Sequence, residues 1–222
     1  MKTQALLVIL SSLLCLSSPS LGKESHPDDR FEQDVQAYEA KDKENPPPPG
    51  KTLFIGSSTF ARWASLEKDL SDLNPLNRGF GGSTIPEIIH YEKRLVAQYK
   101  PSRIVFYAGT NDLAEGHSSQ EVCDDFFKFV AETHKDLPDA EVYFISISVA
   151  PSRLELEKEF DAANDCIVTR IKDDKHLHFI DMRPIMRDDK GQLKAEFFGP
   201  DNLHMTPAGY AAWSTVLEQS LK

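Results

Sequence analysis

The sequence predicts an α/β fold of three layers: a doubly wound, five-stranded parallel sheet with helices on both faces. Two observations carry this expectation. Apolar runs of strand length recur along the chain, and each is followed by a stretch whose apolar residues fall at helical spacing. Such alternation implies right-handed crossovers, which make neighbouring strands parallel and distribute the helices over both faces. A chain of 222 residues accommodates one such domain with a sizeable core, and not a second.

Residues 1–22 read as a targeting segment. Lys2 supplies a positive start, Ala5–Leu16 is a short apolar run, and Ser20 and Gly22 place small residues before Lys23. This is the pattern of a secretory signal peptide, and the run is too short to span a bilayer. The expected location is therefore exported, periplasmic or extracellular. Residues 23–51 form an N-terminal amphipathic helix and a proline-rich connector: Phe31, Val35 and Tyr38 share one helical face, and Pro47-Pro48-Pro49, closed by Gly50, is stiff and extended. The folded domain runs over 52–222.

Within that domain the strands are expected at Leu53–Ile55, Leu76–Phe80 (the weakest), Ile104–Tyr107, Val142–Ile147 and Leu177–Ile180. Helices are expected at 59–71, 84–98, 118–136, 154–174 and 206–221. Phe60, Trp63, Leu66 and Leu70 share a face in the first, and the last opens on Thr206 as N-cap with Pro207 at its first position. The formal charge is −10 with no lysine- or arginine-rich block, which excludes a nucleic-acid partner and disfavours docking on anionic lipid. Beyond the signal segment two cysteines remain, Cys123 and Cys166, both in helical stretches. Spacing alone cannot say whether they pair, and a disulfide and two separate thiols both stay open.

Open parallel sheets bind ligands at the carboxyl ends of their strands, so the loops that follow the strands hold the candidate chemistry. These are Gly56-Ser57-Ser58, Gly79–Thr84, Gly109-Thr110-Asn111-Asp112, Pro151-Ser152-Arg153 and, after a longer loop, Asp201-Asn202-Leu203-His204. Acyl transfer needs a nucleophile, a base, an orienter for the base and donors for the developing oxyanion. Ser58 sits where a strand turns into a helix and fits the nucleophile. His204 fits the base, and Asp201, three residues earlier, fits its orienter. The backbone N–H groups of Ser58 and Gly82 and the amide of Asn111 are candidate oxyanion donors. Each signal has a plainer reading taken singly: Ser58 as a helix cap, Asn111 in an Asx-turn, Asp201 and His204 as a surface pair. Their order and placement favour the chemical reading. The Gly-x-Ser-x-Gly elbow of α/β-hydrolases is absent, Gly79-x-Gly81 lacks the third glycine of a dinucleotide loop, and no Walker loop is present. No cluster completes a metal site around Asp201 and His204, so no metal and no cofactor is expected. Elsewhere, His90, His117, His134, His176 and His178 read as structural or solvated.

In these four blocks the sequence resembles the SGNH hydrolases, also called GDSL esterases/lipases. The Gly-Asp-Ser block is matched by Gly56-Ser57-Ser58, the second block by Asn77–Thr84 with Gly82 at the oxyanion position, the third by Gly109-Thr110-Asn111-Asp112, and the last by Asp201 to His204. The resemblance covers about residues 52–220 and is similar to bacterial lysophospholipase/thioesterase-like and platelet-activating-factor-acetylhydrolase-like members. It departs from the pattern at Ser57, where the family has aspartate, and at Thr59, where leucine is usual. It implies a flavodoxin-like sheet and hydrolysis of esters or thioesters through an acyl-enzyme without metal or cofactor. Fold and motif do not select the substrate. Short connections leave little chain for a lid, so the expected substrate is a small-molecule or glycan ester of a short acyl group such as acetyl. Phe197 and Phe198 are candidates for the acyl pocket and Arg153 for a substrate carboxylate or phosphate. Two other functions remain compatible with the sequence: an acyltransferase using glycan hydroxyls, and a non-catalytic carbohydrate- or surface-binding domain.

Overall fold

Burial on both faces is what the apolar runs demand, and a central parallel sheet supplies it. The computed structural model describes residues 27–222, and the signal segment expected at 1–22 lies outside the described residues. The five strands are β1 (Thr52–Gly56), β2 (Pro75–Asn77), β3 (Arg103–Tyr107), β4 (Glu141–Ile145) and β5 (Leu177–Ile180). They lie in the order β2-β1-β3-β4-β5 with every pair parallel. Pro75 opens β2 on the sheet edge, where a missing N–H is tolerated. The order reverses between β1 and β3, so the loops leaving those strands diverge and open a crevice.

The helices are α1 (Glu32–Glu44), α2 (Ser58–Ala61), α3 (Leu66–Asp69), α4 (Ile85–His90), α5 (Glu92–Leu95), α6 (Thr110–Ala114), α7 (Ser119–Asp136), α8 (Glu157–Ile171) and α9 (Pro207–Ser220). Strand periodicity sends Leu53, Ile55, Ile104, Phe106, Val142 and Phe144 to one face, where they pack with α1, α4, α5, α7 and α8 through residues such as Val35, Ile88, Leu95, Phe126 and Phe160. Phe54, Val105, Tyr107 and Ile145 point the other way, against Phe60 of α2, Leu66 of α3, and Trp213 and Leu217 of α9. The arm buries Phe31, at the end of the 3-10 turn that precedes α1, and Val35 of α1 against the first face, as their spacing predicts.

Two of the expected helices are interrupted. The stretch 59–71 splits into α2 and α3 because the Trp63 indole N–H and the Ser65 hydroxyl both donate to the Asp69 carboxylate, at 2.8 and 2.6 Å, and fold the intervening chain into a turn. The stretch 84–98 breaks at Tyr91, whose ring is drawn beneath Phe80 with centroids 5.9 Å apart. The stretch at 154–174 begins as a 3-10 turn over Pro151–Leu156 before α8. Helix α6 falls in a segment read as loop. Its five residues are too few to show a period.

Helices α7 and α8 are neighbours on one face, and there Cys123 and Cys166 form a disulfide across 43 residues of sequence. This resolves the alternative that spacing left open. A cross-link removes conformational freedom chiefly from the unfolded chain, by about 4 kcal/mol for a loop of this length. Replacing both cysteines by alanine is therefore expected to lower the unfolding free energy by about that amount. Urea denaturation of the variant and of reduced wild type should show matching losses, and a change below about 1 kcal/mol would contradict the assignment.

Candidate active site

The site begins at a steric bottleneck. A Cβ on Gly56 would lie 2.1 Å from the Tyr107 carbonyl oxygen, so only glycine lets β1 end hard against β3. Ser57 N–H then bonds that same carbonyl at 3.1 Å and the chain turns into α2. Ser58 is the first residue of α2, so its N–H has no intrahelical acceptor and its hydroxyl stands over the crevice.

His204 arrives from the far end of the chain. Helix α9 is capped by Thr206, whose hydroxyl accepts from Gly209 N–H at 3.3 Å. Its Tyr210 stacks on Trp63 with centroids 4.7 Å apart and donates to the Thr59 carbonyl at 2.9 Å. Trp213 meets Tyr107 edge-on at 5.0 Å. These contacts seat the start of α9 beside α2, and the turn before it delivers the imidazole. In that turn Asn202 adopts a left-handed conformation, φ 54°, which asparagine tolerates.

The result is a hydrogen-bonded series. Asp201 Oδ2 accepts from His204 Nδ1 at 2.6 Å, while Oδ1 accepts the backbone N–H groups of Leu203 and His204 at 3.0 Å each. The His204 ring bond first, and then these amides, hold the Asp201 carboxyl well below the usual carboxylate range. An ionised carboxylate accepts only, so Nδ1 carries the proton and Nε2 is left to accept. Ser58 Oγ–H donates to it at 3.0 Å. Arg62 lies 3.9 Å from Asp201 on the exposed side, a pairing worth little in water.

Around Ser58 the other expected residues gather with differing parts. Gly82 has φ 88°, a conformation that favours glycine, and Gly81 beside it lies against Ser58, where an added Cβ would be 3.9 Å from Ser58 Cβ. Asn111, in the first turn of α6, donates through Nδ2 to Ser57 Oγ at 2.7 Å and to the Ser83 carbonyl at 3.0 Å. Its Oδ1 accepts from Arg153 Nη2 at 3.0 Å. A guanidinium only donates and a carbonyl only accepts, so these partners fix the orientation of the amide. Arg153 gives a second bond to the Thr110 carbonyl at 2.9 Å, and so it holds α6 rather than a surface acid.

A pocket of about 40 Å³ opens beside Ser58 and His204. Phe198 and Arg153 line it, whereas Phe197 stays outside, its ring 5.1 Å from the Lys194 ammonium. Tyr107, Met186, Met205 and Trp213 also form its walls. Tyr107 was within reach of sequence reasoning, because it ends β3 at the rim. Met186 was not: it lies between β5 and the Asp201–His204 block, where no element was read, and is placed by the Trp213 indole N–H, 3.3 Å from its sulfur. Among the described residues no group of three metal-ligating side chains converges.

A strand-end crevice over a reversal of strand order, holding a serine, an imidazole and a carboxylate in series, places the protein in the class of α/β acyl hydrolases. The sequence profile of the GDSL-like lipase/acylhydrolase family matches residues 50–212, and the chain belongs to that family. It is a carboxylic ester hydrolase. Among solved structures it is similar to a candidate acylhydrolase from Bacteroides fragilis (18% identity, TM-score 0.72, covering 89% of this chain and 98% of that one). It is also similar to a GDSL-like lipase from Bacteroides thetaiotaomicron (21%, TM-score 0.71, 85% and 97%). A third is an acetyl-xylooligosaccharide esterase from a Geobacillus (16%, TM-score 0.61, 78% and 94%). At these identities the likeness is one of fold. No curated protein matches the chain significantly.

Asp112, next to Asn111, ties α6 to α4. Its Oδ1 accepts Ile85 N–H at 2.8 Å, and its Oδ2 is buried with no partner among the described residues. Burial pushes its carboxyl up to about 6 from 3.8. The folded state therefore holds this proton more tightly than the unfolded chain. The resulting stability is fully present below the unfolded value and is lost as pH rises through about 6. Asp112→Asn removes that titration. Between pH 4 and 7.5, wild type should lose on the order of 2 kcal/mol more than the variant, read from paired urea midpoints. Parallel pH profiles would show that Asp112 does not titrate in this window.

Proposed function

We propose that the protein is an exported serine esterase that hydrolyses short-chain acyl esters through an acyl-enzyme. Ser58 is the nucleophile, His204 the general base and Asp201 its orienter. One observation carries this reading: the Asp201–His204–Ser58 series, with bonds of 2.6 and 3.0 Å, at the mouth of a pocket. Ser58 Oγ adds to the ester carbonyl carbon as Nε2 takes its proton, and the carbonyl oxygen becomes an oxyanion. Collapse of the adduct expels the alcohol, which receives the proton from Nε2, and leaves Ser58 acylated. Water then repeats the sequence with Nε2 as base, releasing the acid and restoring the serine.

The N–H groups of Ser58 and Gly82 and the Asn111 amide are the proposed oxyanion donors. Asn111 gives one of its hydrogens to the neutral Ser57 hydroxyl, and a fully charged oxyanion is the stronger acceptor for it. Ser57 in place of the family's aspartate leaves that exchange free of a competing carboxylate. The pocket beside Ser58 and His204 is small, about 40 Å³, which supports a short acyl group such as acetyl. The fold shared with an acetyl-xylooligosaccharide esterase makes acetylated sugars a natural first substrate. The disulfide supports export, since such bonds persist in oxidising compartments.

A serine-directed fluorophosphonate followed by peptide mapping tests the nucleophile. The adduct is expected on the Ser58 peptide and absent from Ser58→Ala, and labelling elsewhere would overturn the assignment. Asn111→Ala should lower kcat by roughly 10²–10³-fold. Asp201→Asn, which favours the wrong tautomer, should cost about 10⁴-fold with little change in KM. The ratio kcat/KM for p-nitrophenyl acetate should exceed that for the octanoate by at least about tenfold, the discrimination that a few excluded methylenes provide. Equal rates would reject the short-acyl reading alone.

A further inference from the structure

A glycine pair has no side chains to hold it, yet a backbone N–H serves an oxyanion only if it is aimed before the reaction begins. Gly81 and Gly82 therefore need an external brace, and the N-terminal arm touches the loop at nearly every step. Arg78 Nη2 donates to both carboxylate oxygens of Asp42 of α1, at 2.6 and 2.7 Å. The Tyr38 hydroxyl donates to the Gly79 carbonyl at 2.6 Å. Phe31 meets Phe80 edge-on with centroids 5.0 Å apart. Arg30 Nη2 donates to the Gly82 carbonyl at 3.0 Å and to Glu87 at 2.8 Å. Glu87 in turn accepts the Thr84 N–H at 2.8 Å, closing the far end of the loop. The arm itself is fastened, since Glu32 and Glu39 both bind Arg94 of α5, at 2.7–2.8 Å.

We propose that this arm, residues 27–44, is a positioning element for the glycine loop, and that Arg30, by holding the Gly82 carbonyl, fixes the Gly82 backbone conformation that aims its N–H. The proposal rests on the reading of Gly82 N–H as an oxyanion donor. Space does not require glycine at position 82, where a Cβ would meet nothing nearer than Phe31 Cζ at 4.0 Å. What the position holds is a backbone conformation, and the carbonyl of Gly82 is where that conformation is gripped. The next carbonyl, of Ser83, is gripped by Asn111. The Gly82 carbonyl belongs to the Gly82–Ser83 peptide and the Gly82 N–H to the peptide before it, so anchoring two successive carbonyls acts on that N–H by limiting rotation about the Gly82 α-carbon. Arg30 touches none of the reacting atoms, so it acts on rate only through the loop.

The test uses Arg30→Ala, Arg30→Lys and Tyr38→Phe in the full chain, assayed on p-nitrophenyl acetate with an aryl trifluoromethyl ketone as inhibitor. The ketone's hemiketal oxygen occupies the oxyanion position, so its Ki reports donor alignment while KM does not. Arg30→Ala should lower kcat about tenfold with KM within twofold, and Ki should rise by the same factor, part of the 10²–10³ carried by one donor. Lysine should restore most of the loss, and Tyr38→Phe should cost about threefold in kcat. The proposal is overturned by unchanged kcat and Ki, by a loss confined to KM, or by a kcat loss with Ki unmoved. Should Arg30→Ala fail to fold, Tyr38→Phe, which removes one hydroxyl, decides by the same readouts. Fluorophosphonate labelling of Ser58 in wild type separates this outcome from failure of the esterase reading, which would show as no adduct at Ser58.

Discussion

A hydrogen bond of 3.0 Å joins residues 146 positions apart, and the site exists only because the fold holds that span. Ser58 is fixed by the end of β1, where Gly56 lets two backbones approach more closely than any other residue permits. His204 is fixed by α9, whose Tyr210 and Trp213 lie on Trp63 and Tyr107. These four aromatic rings belong to the second core layer, so the alignment of the imidazole with the hydroxyl is a consequence of how α9 packs.

Charge is distributed around this bond in two contrasting ways. Asp201 is exposed but satisfied by three donors, and it therefore stays ionised and keeps the imidazole in the tautomer that can accept. Asp112 is buried with one donor, and desolvation pushes its carboxyl up to about 6. The two carboxylates differ because solvation and donor count differ, not because of any distinction in residue type. Between them Asn111 connects Ser57, Ser83 and Arg153, so the polar rim behaves as one network rather than as separate side chains.

Much of the architecture was legible in the residues. Strand-length apolar runs and the Thr206-Pro207 start of α9 are local signals, set by period and by backbone chemistry, and they lie close to where they were read, except that the strand expected at Leu76–Phe80 ends at Asn77, where the chain turns into the glycine loop. The interruptions at 62–65 and at Tyr91 were not legible. They arise from a carboxylate that gathers two donors and from a ring drawn into the core, and neither leaves a trace in periodicity. The same limit applies at the site. Ser58, Gly82, Asn111, Asp201 and His204 follow from loop position, whereas Met186 and the grip of Arg30 on Gly82 depend on contacts between remote segments.

The sequence alone determined that this chain would build a parallel sheet with helices on both faces and would bring polar residues to one rim, because hydrophobic period and strand–helix order are properties of short stretches. It also identified a serine, an imidazole and a carboxylate suited to act together. Tertiary structure decided the rest: that Cys123 reaches Cys166, that Phe198 and not Phe197 lines the pocket, that Arg153 serves Asn111, and that the arm clasps the glycine loop. Each of these is a meeting of segments far apart in the chain. Such meetings are settled by how layers pack in three dimensions, which no local pattern encodes.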